Sequence, residues 1–160
     1  MYPQQHIDKA EQLVACLNAQ QRTITMAESC TGGLLGGLVT SVAGASNIFH
    51  QGFVTYSNSV KTQALNVPPG LLTQHGAVSQ QVAEAMATGA LKAANAQISL
   101  AITGIAGPGG GSADKPVGLV YMACATAQSV ISRKHLFSGD RQEVRLAACE
   151  KAIDLALECV

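Results

Sequence analysis

The sequence predicts a three-layer α/β/α domain in which helices cover both faces of a mixed β-sheet. Two observations predict it. Amphipathic helical patterns alternate with short apolar, β-prone runs over most of the chain, the pattern of an α/β sheet flanked by helices. Near the C-terminal end two β-prone runs follow each other with only a short turn between them, which calls for an antiparallel pair. The 160 residues fit one domain spanning 1–160.

Each element has a local reason. Ile7, Ala10, Val14 and Leu17 recur at helical spacing among Asp8, Lys9, Glu11 and Gln12, so the chain opens with an amphipathic helix. Thr23 to Ala27 is a short strand. Gly32 to Val39 reads as a small-residue helix packed closely on the sheet, although each interior glycine costs about 1 kcal/mol relative to alanine. Gln51 to Tyr56 is a second strand. Ser57 or Asn58 then offers an N-cap for a short helix, Val60 to Leu65, and Pro68-Pro69-Gly70 reads as the turn that ends it. Ser79 caps an alanine-rich helix running to about Ala94. Ile98 to Thr103 is a buried strand, followed by the glycine-rich loop 104–112. Val117 to Ala125 and Val130 to Phe137 form the antiparallel pair. Asp140 opens the last helix, with Glu143 three residues on as a capping-box partner, and Leu146, Cys149, Ile153 and Ala156 are placed on its inward face.

Composition narrows the function classes. Ten Lys+Arg balance ten Asp+Glu, and aromatic residues make up 4%. A nucleic-acid binder usually shows a basic excess or aromatic stacking platforms, so no nucleic-acid partner is expected. No apolar run reaches the roughly 18 residues of a membrane span, and Met1 to His6 is too polar for a signal peptide; neither a membrane partner nor export is expected. The five cysteines are odd in number and contain no CxxC pair, which fits reduced thiols in the cytoplasm. His6, His50, His75 and His135 are scattered without HxH or HxxxH spacing, so no metal site is expected.

The candidate chemistry sits at strand ends, where ligands gather in open α/β sheets. The first segment is Glu28-Ser29-Cys30-Thr31-Gly32-Gly33. A hydroxyl between strand and helix is either a nucleophile served by a nearby base or a helix cap. Cys30 is a rival nucleophile, since a helix N-terminus can lower a thiol pKa; a small apolar-packed cysteine would be inert. The second segment is Tyr56-Ser57-Asn58-Ser59-Val60-Lys61. A lysine in the first helical turn faces the positive end of the helix dipole, which disfavours its charged form and would let it take a proton from a serine. Tyr56 could relay that proton or orient the amine. The alternative is a solvated surface lysine.

The third segment, Thr103 to Ser112, contains Gly104 and Gly107 within a glycine-rich run whose backbone amides can approach a ligand. It has the spacing of neither a dinucleotide fingerprint nor a P-loop. Arg141 and Arg145, one turn apart at the start of the last helix, form either an anion site or a solvated, salt-bridged face with Glu143.

These segments resemble one family. Ala27-Glu28-Ser29-Cys30-Thr31-Gly32-Gly33, Phe53-Val54-Thr55-Tyr56-Ser57-Asn58 with Lys61, His75-Gly76-Ala77-Val78-Ser79, Thr103-Gly104-Ile105-Ala106-Gly107-Pro108 with Lys115-Pro116-Val117-Gly118, and Phe137, Gly139-Asp140-Arg141, Val144-Arg145 occur in the order found in the CinA C-terminal domain family. The resemblance runs from about residue 7 to 157. It looks like the single-domain form, without the molybdopterin-binding-like domain of longer members.

Stand-alone members are nicotinamide-nucleotide amidohydrolases. The resemblance therefore implies hydrolysis of nicotinamide mononucleotide to nicotinate mononucleotide and ammonia, in pyridine nucleotide recycling, with no cofactor or metal, by a homodimer. It places a nucleophile on Ser29, a general base on Lys61 and a supporting role on Tyr56. The remaining contacts are assigned to Glu28, Cys30, Thr31, Gly32, Gly33, Thr103, Gly104 and Gly107 around the substrate and to Arg141 or Arg145 at its phosphate. A nucleotide-binding module without turnover is the alternative.

Overall fold

The computed structural model describes residues 1–160. Six helices surround one five-stranded sheet. The helices are α1 (Gln4–Gln20), α2 (Leu34–Thr40), α3 (Asn58–Leu65), α4 (Pro69–His75), α5 (Gln80–Ala93) and α6 (Arg141–Cys159), and the strands are β1 (Ile24–Glu28), β2 (Phe49–Val54), β3 (Ile98–Gly104), β4 (Leu119–Thr126) and β5 (Val130–Leu136). The strand order is β2-β1-β3-β4-β5. Strands β2, β1 and β3 are parallel, while β4 and β5 complete the sheet antiparallel.

Successive strand residues point to opposite faces, and the two faces differ in side-chain size. Ile24, Met26, Ile98, Leu100, Ile102, Val120 and Met122 pack in one core with α1, α2 and α6. Ala27, Ala101, Ala123 and Ala125 face the other way, against Val82, Ala83, Met86, Ala87 and Ala90 of α5 and Leu65 of α3. Alanine opposite alanine brings α5 close to the sheet. Gly89 brings α3 equally close to α5, because a Cβ there would overlap the Leu65 carbonyl oxygen.

Several local features depart from the sequence reading, and three of them have a clear physical reason. Pro68-Pro69-Gly70 is not a plain turn: Pro69 takes the first position of α4, where its missing N–H is no loss, and Leu71 and Leu72 pack on the α5 core. Strand β2 begins and ends two residues earlier than expected, at Phe49 and Val54, because Tyr56 leaves the sheet to join the loop before α3. On α6, Val144 rather than Leu146 is fully buried; Leu146 is half-buried and its carbonyl accepts from His6 Nε2 at 3.1 Å. The expected caps are present at Ser79 and at Asp140, where a complete capping box forms with Glu143.

The chain passes from β1 to β2 on one side and to β3 on the other. The ends of the three parallel strands therefore open on a common crevice, the place where such sheets bind ligands. No helix is long and apolar enough to cross a membrane.

Candidate active site

Ser29 is the first residue beyond β1. Its amide donates to the Ile102 carbonyl at 3.0 Å, which holds it in line with β3. On the other side, the Thr55 amide donates to the Glu28 carbonyl at 2.8 Å, which fixes the loop from β2 to α3. That loop enters α3 through Ser57, whose hydroxyl accepts from the Val60 amide; of the two expected caps, Ser57 is the one used.

Helical side chains lean towards the helix N-terminus, so Lys61 reaches back to the loop that precedes it. Its Nζ stands 2.9 Å from Ser29 Oγ, 2.8 Å from the Thr55 carbonyl oxygen and 3.4 Å from the Tyr56 carbonyl oxygen. Lys61 is 1% exposed and makes no salt bridge. Burial without a carboxylate holds its pKa below the ordinary lysine value. The solvated surface lysine is thus not what the fold makes of this residue. Ser29, 9% exposed, lies beside Lys61 at the floor of the crevice.

Cys30 is beside Ser29 but is not activated. Burial pushes its thiol up to about 11, which keeps it protonated near neutrality.

Glu28 is 3% exposed and points away from the crevice. Its carboxylate accepts from the amides of Gly33 at 3.1 Å, Leu35 at 3.0 Å and Gly36 at 2.8 Å. It caps α2 from a distance and occupies the N-terminal amides that could otherwise have met a substrate anion. Gly33, at φ +100°, provides the left-handed turn that lets the chain double back over that carboxylate. Gly32 donates to the Ser29 carbonyl at 3.0 Å. The Cys30 and Thr31 amides, by contrast, donate to no protein acceptor.

The crevice has a volume of about 270 Å³. Ala77, Val78, Thr103, Ile105, Ala106 and Arg141 are among the residues around Ser29 and Lys61. Thr103 Oγ1 donates to the Ala77 carbonyl at 2.9 Å, so it secures the wall that Ala77 and Val78 form. Gly104 and Gly107 line the crevice as well. Arg141 spans the mouth: one guanidinium nitrogen donates to the Gly107 carbonyl at 2.7 Å and another to the Tyr56 hydroxyl at 3.0 Å. Tyr56 therefore meets Lys61 through its carbonyl, while its phenol lies at the 59% exposed rim.

Arg145 is not with Arg141 at the crevice. Its Nε donates to the Cys30 carbonyl at 3.2 Å, one terminal nitrogen to the Thr31 carbonyl at 2.9 Å and the other to Gln142 Oε1 at 2.9 Å. Of the lining residues, Asn58, Ala77, Val78, Ile105, Ala106, Gly109 and Gly110 are not singled out by the sequence; only their nearness to the Lys61, Ser79 and glycine-loop motifs could have marked them. No group of three or more His, Cys, Asp and Glu is placed to hold a metal ion.

The model of the CinA C-terminal domain matches residues 6–160. The chain belongs to the CinA C-terminal domain family. It is 51% identical over 145 residues to the nicotinamide-nucleotide amidohydrolase PncC of Escherichia coli, covering 90% of this chain and 88% of that one. It is 52% identical over 132 residues to a CinA-like protein of Geotalea uraniireducens; that match covers 82% of this chain but only 31% of the longer relative. Among solved structures, a competence/damage-inducible protein from Agrobacterium tumefaciens superposes with a TM-score of 0.97 at 40% identity, covering 99% of this chain and 97% of that one. A CinA superfamily protein from Escherichia coli gives 0.93 at 34% identity, with 97% and 90% covered. CinA family membership thus accounts for the fold from α1 to α6.

Proposed function

We propose that this chain hydrolyses the carboxamide of nicotinamide mononucleotide to nicotinate mononucleotide and ammonia, with Ser29 as nucleophile and Lys61 as general base. The substrate is supported by the family and by the PncC relatives that match this chain over most of their length. The observation that carries the mechanism is the buried Lys61 amine 2.9 Å from the Ser29 hydroxyl, with no carboxylate beside it.

In its neutral form Lys61 donates its two hydrogens to the Thr55 and Tyr56 carbonyls, and its lone pair is left for the Ser29 hydroxyl. Ser29 Oγ attacks the carboxamide carbon as its proton passes to Lys61. The Lys61 ammonium gives that proton to the amide nitrogen, and the C–N bond breaks to release ammonia. Water attacks the resulting ester. Lys61 takes the proton of that water and gives it to Ser29 Oγ as the acid leaves.

The free Cys30 and Thr31 amides are the candidate donors to the oxyanion; in comparable enzymes one such donor supplies roughly 3–4 kcal/mol. The wall formed by Ala77, Val78 and Ile105 suits a flat heteroaromatic ring. Arg141, already on the glycine loop, is the cation placed for a phosphate.

Ammonia release from nicotinamide mononucleotide, followed with identification of nicotinate mononucleotide, tests the reaction. Stoichiometric formation of both products in the presence of a chelator is expected. Binding of the nucleotide without ammonia release would instead make the protein a nucleotide-binding module.

A further inference from the structure

We propose that Arg145 is a positioning residue that sets the peptide orientation of the Ser29 turn, rather than a ligand of the substrate phosphate. The inference rests on the serine–lysine reading above. The two arginines of α6 are one turn apart, yet their donors go to different places. Arg141 joins the two sides of the crevice mouth. Arg145 lies outside the crevice lining and places its Nε and one terminal nitrogen on consecutive carbonyls, Cys30 and Thr31, which lie 115 and 114 residues earlier in the chain.

A trans peptide points its C=O and N–H in opposite directions. A guanidinium fork that holds the Cys30 carbonyl therefore directs the Thr31 N–H away from Arg145, and no protein acceptor takes that N–H. The neighbouring carbonyl of Ser29 is held as well, by the Gly32 amide at 3.0 Å. All three carbonyls of Ser29, Cys30 and Thr31 are thus occupied, and the amides of Cys30 and Thr31 are the donors left over. Gln142 Oε1 accepts the remaining terminal nitrogen of Arg145 and fixes the plane of the fork. Lysine could supply the charge but not the two-carbonyl geometry.

The test compares wild type with Arg145→Met, Arg145→Lys and Gln142→Met, all confirmed folded by circular dichroism and melting temperature. The readouts are kcat and KM for nicotinamide mononucleotide and, by calorimetry, the dissociation constant for nicotinate mononucleotide. Misplacing catalytic groups by about 1 Å lowers rate on the order of 10²-fold. Arg145→Met is expected to lose kcat to about that extent, with product affinity unchanged within about twofold. Arg145→Lys is expected to recover only part of the loss.

Gln142 is exposed, and Gln142→Met should lower kcat severalfold without weakening product binding; it decides the matter if Arg145→Met fails to fold. A loss confined to KM and product affinity, with kcat retained, would overturn the proposal and make Arg145 a phosphate ligand. Unchanged kinetics in Gln142→Met and Arg145→Met would also overturn it. Failure of the underlying reading is recognised separately, by turnover that survives in Ser29→Ala.

Discussion

Lys61 Nζ lies 2.9 Å from Ser29 Oγ although 32 residues separate them, and Lys61 meets no carboxylate. The pairing depends on two different supports. Strand β1 fixes Ser29 through β3, and α3 fixes Lys61 through its packing on α5. The carbonyls of Thr55 and Tyr56 then orient the amine from the loop between β2 and α3.

The state of that lysine sets the expected pH dependence. Its pKa is lowered by burial, so kcat/KM should fall as pH drops through a pKa below the ordinary value of about 10.4, as Lys61 gains its proton. The folded protein binds fewer protons at Lys61 than the unfolded chain between the lowered and the ordinary value. Stability contributed at this site therefore rises with pH across that window. Urea unfolding of wild type and Lys61→Met over pH 7 to about 10.5 should show wild type gaining relative to the variant as pH increases. A constant difference would mean that Lys61 is not held below its unfolded value.

The Cys30 thiol is expected to be a bystander. With its pKa raised to about 11 by burial, it should resist alkylation at pH 7.5, and Cys30→Ala should keep activity within about tenfold of wild type, since packing rather than chemistry is lost. Mass mapping of alkylated protein alongside an ammonia assay measures both. Inactivation that tracks Cys30 modification would reverse the assignment.

Glu28 is expected to matter for stability more than for binding. Glu28→Gln leaves an amide facing the amides of Gly33, Leu35 and Gly36, and at least one of these buried donors loses its acceptor. A loss of about 1–3 kcal/mol is expected in chemical denaturation. Product affinity in the folded variant should stay close to wild type, because the carboxylate does not line the crevice.

The close approach of α3 to α5 can be tested at Gly89. A Cβ there meets the Leu65 carbonyl, which cannot yield without shifting α3. Gly89→Ala should cost about 1–3 kcal/mol of stability. It should also lower kcat by roughly tenfold or more, because α3 carries Lys61 and catalysis is sensitive to about an ångström of displacement. A stable, fully active variant would show that the Lys61 position does not depend on this contact.

The sequence carried the fold well where the signal was local. The capping box Asp140–Glu143, the Ser79 cap and the apolar run Ile98 to Thr103 all lie within a few residues of the features they determine. The helix from Pro69 to His75 was hidden because two prolines and a glycine read as a stop, while its reason for forming is the contact of Leu71 and Leu72 with α5.

At the site, the residue types were legible and several of their partners were not. The burial of Lys61 depends on what covers α3, which no local pattern reveals. Glu28 looked like part of a ligand cradle, but its partners are the amides of the helix that doubles back over it. Arg145 looked equivalent to Arg141 because they share a helix side; their acceptors, at Cys30 and Thr31 and at Gly107 and Tyr56, come from loops joined only in the fold.

The most direct measurement is ammonia release from nicotinamide mononucleotide by wild type, Ser29→Ala and Lys61→Met at equal concentration, each shown to be folded. Release by wild type and a loss of at least about 10³-fold in both variants are expected, of similar size because the two residues act as a unit. Wild-type turnover in folded Ser29→Ala would contradict the serine–lysine mechanism.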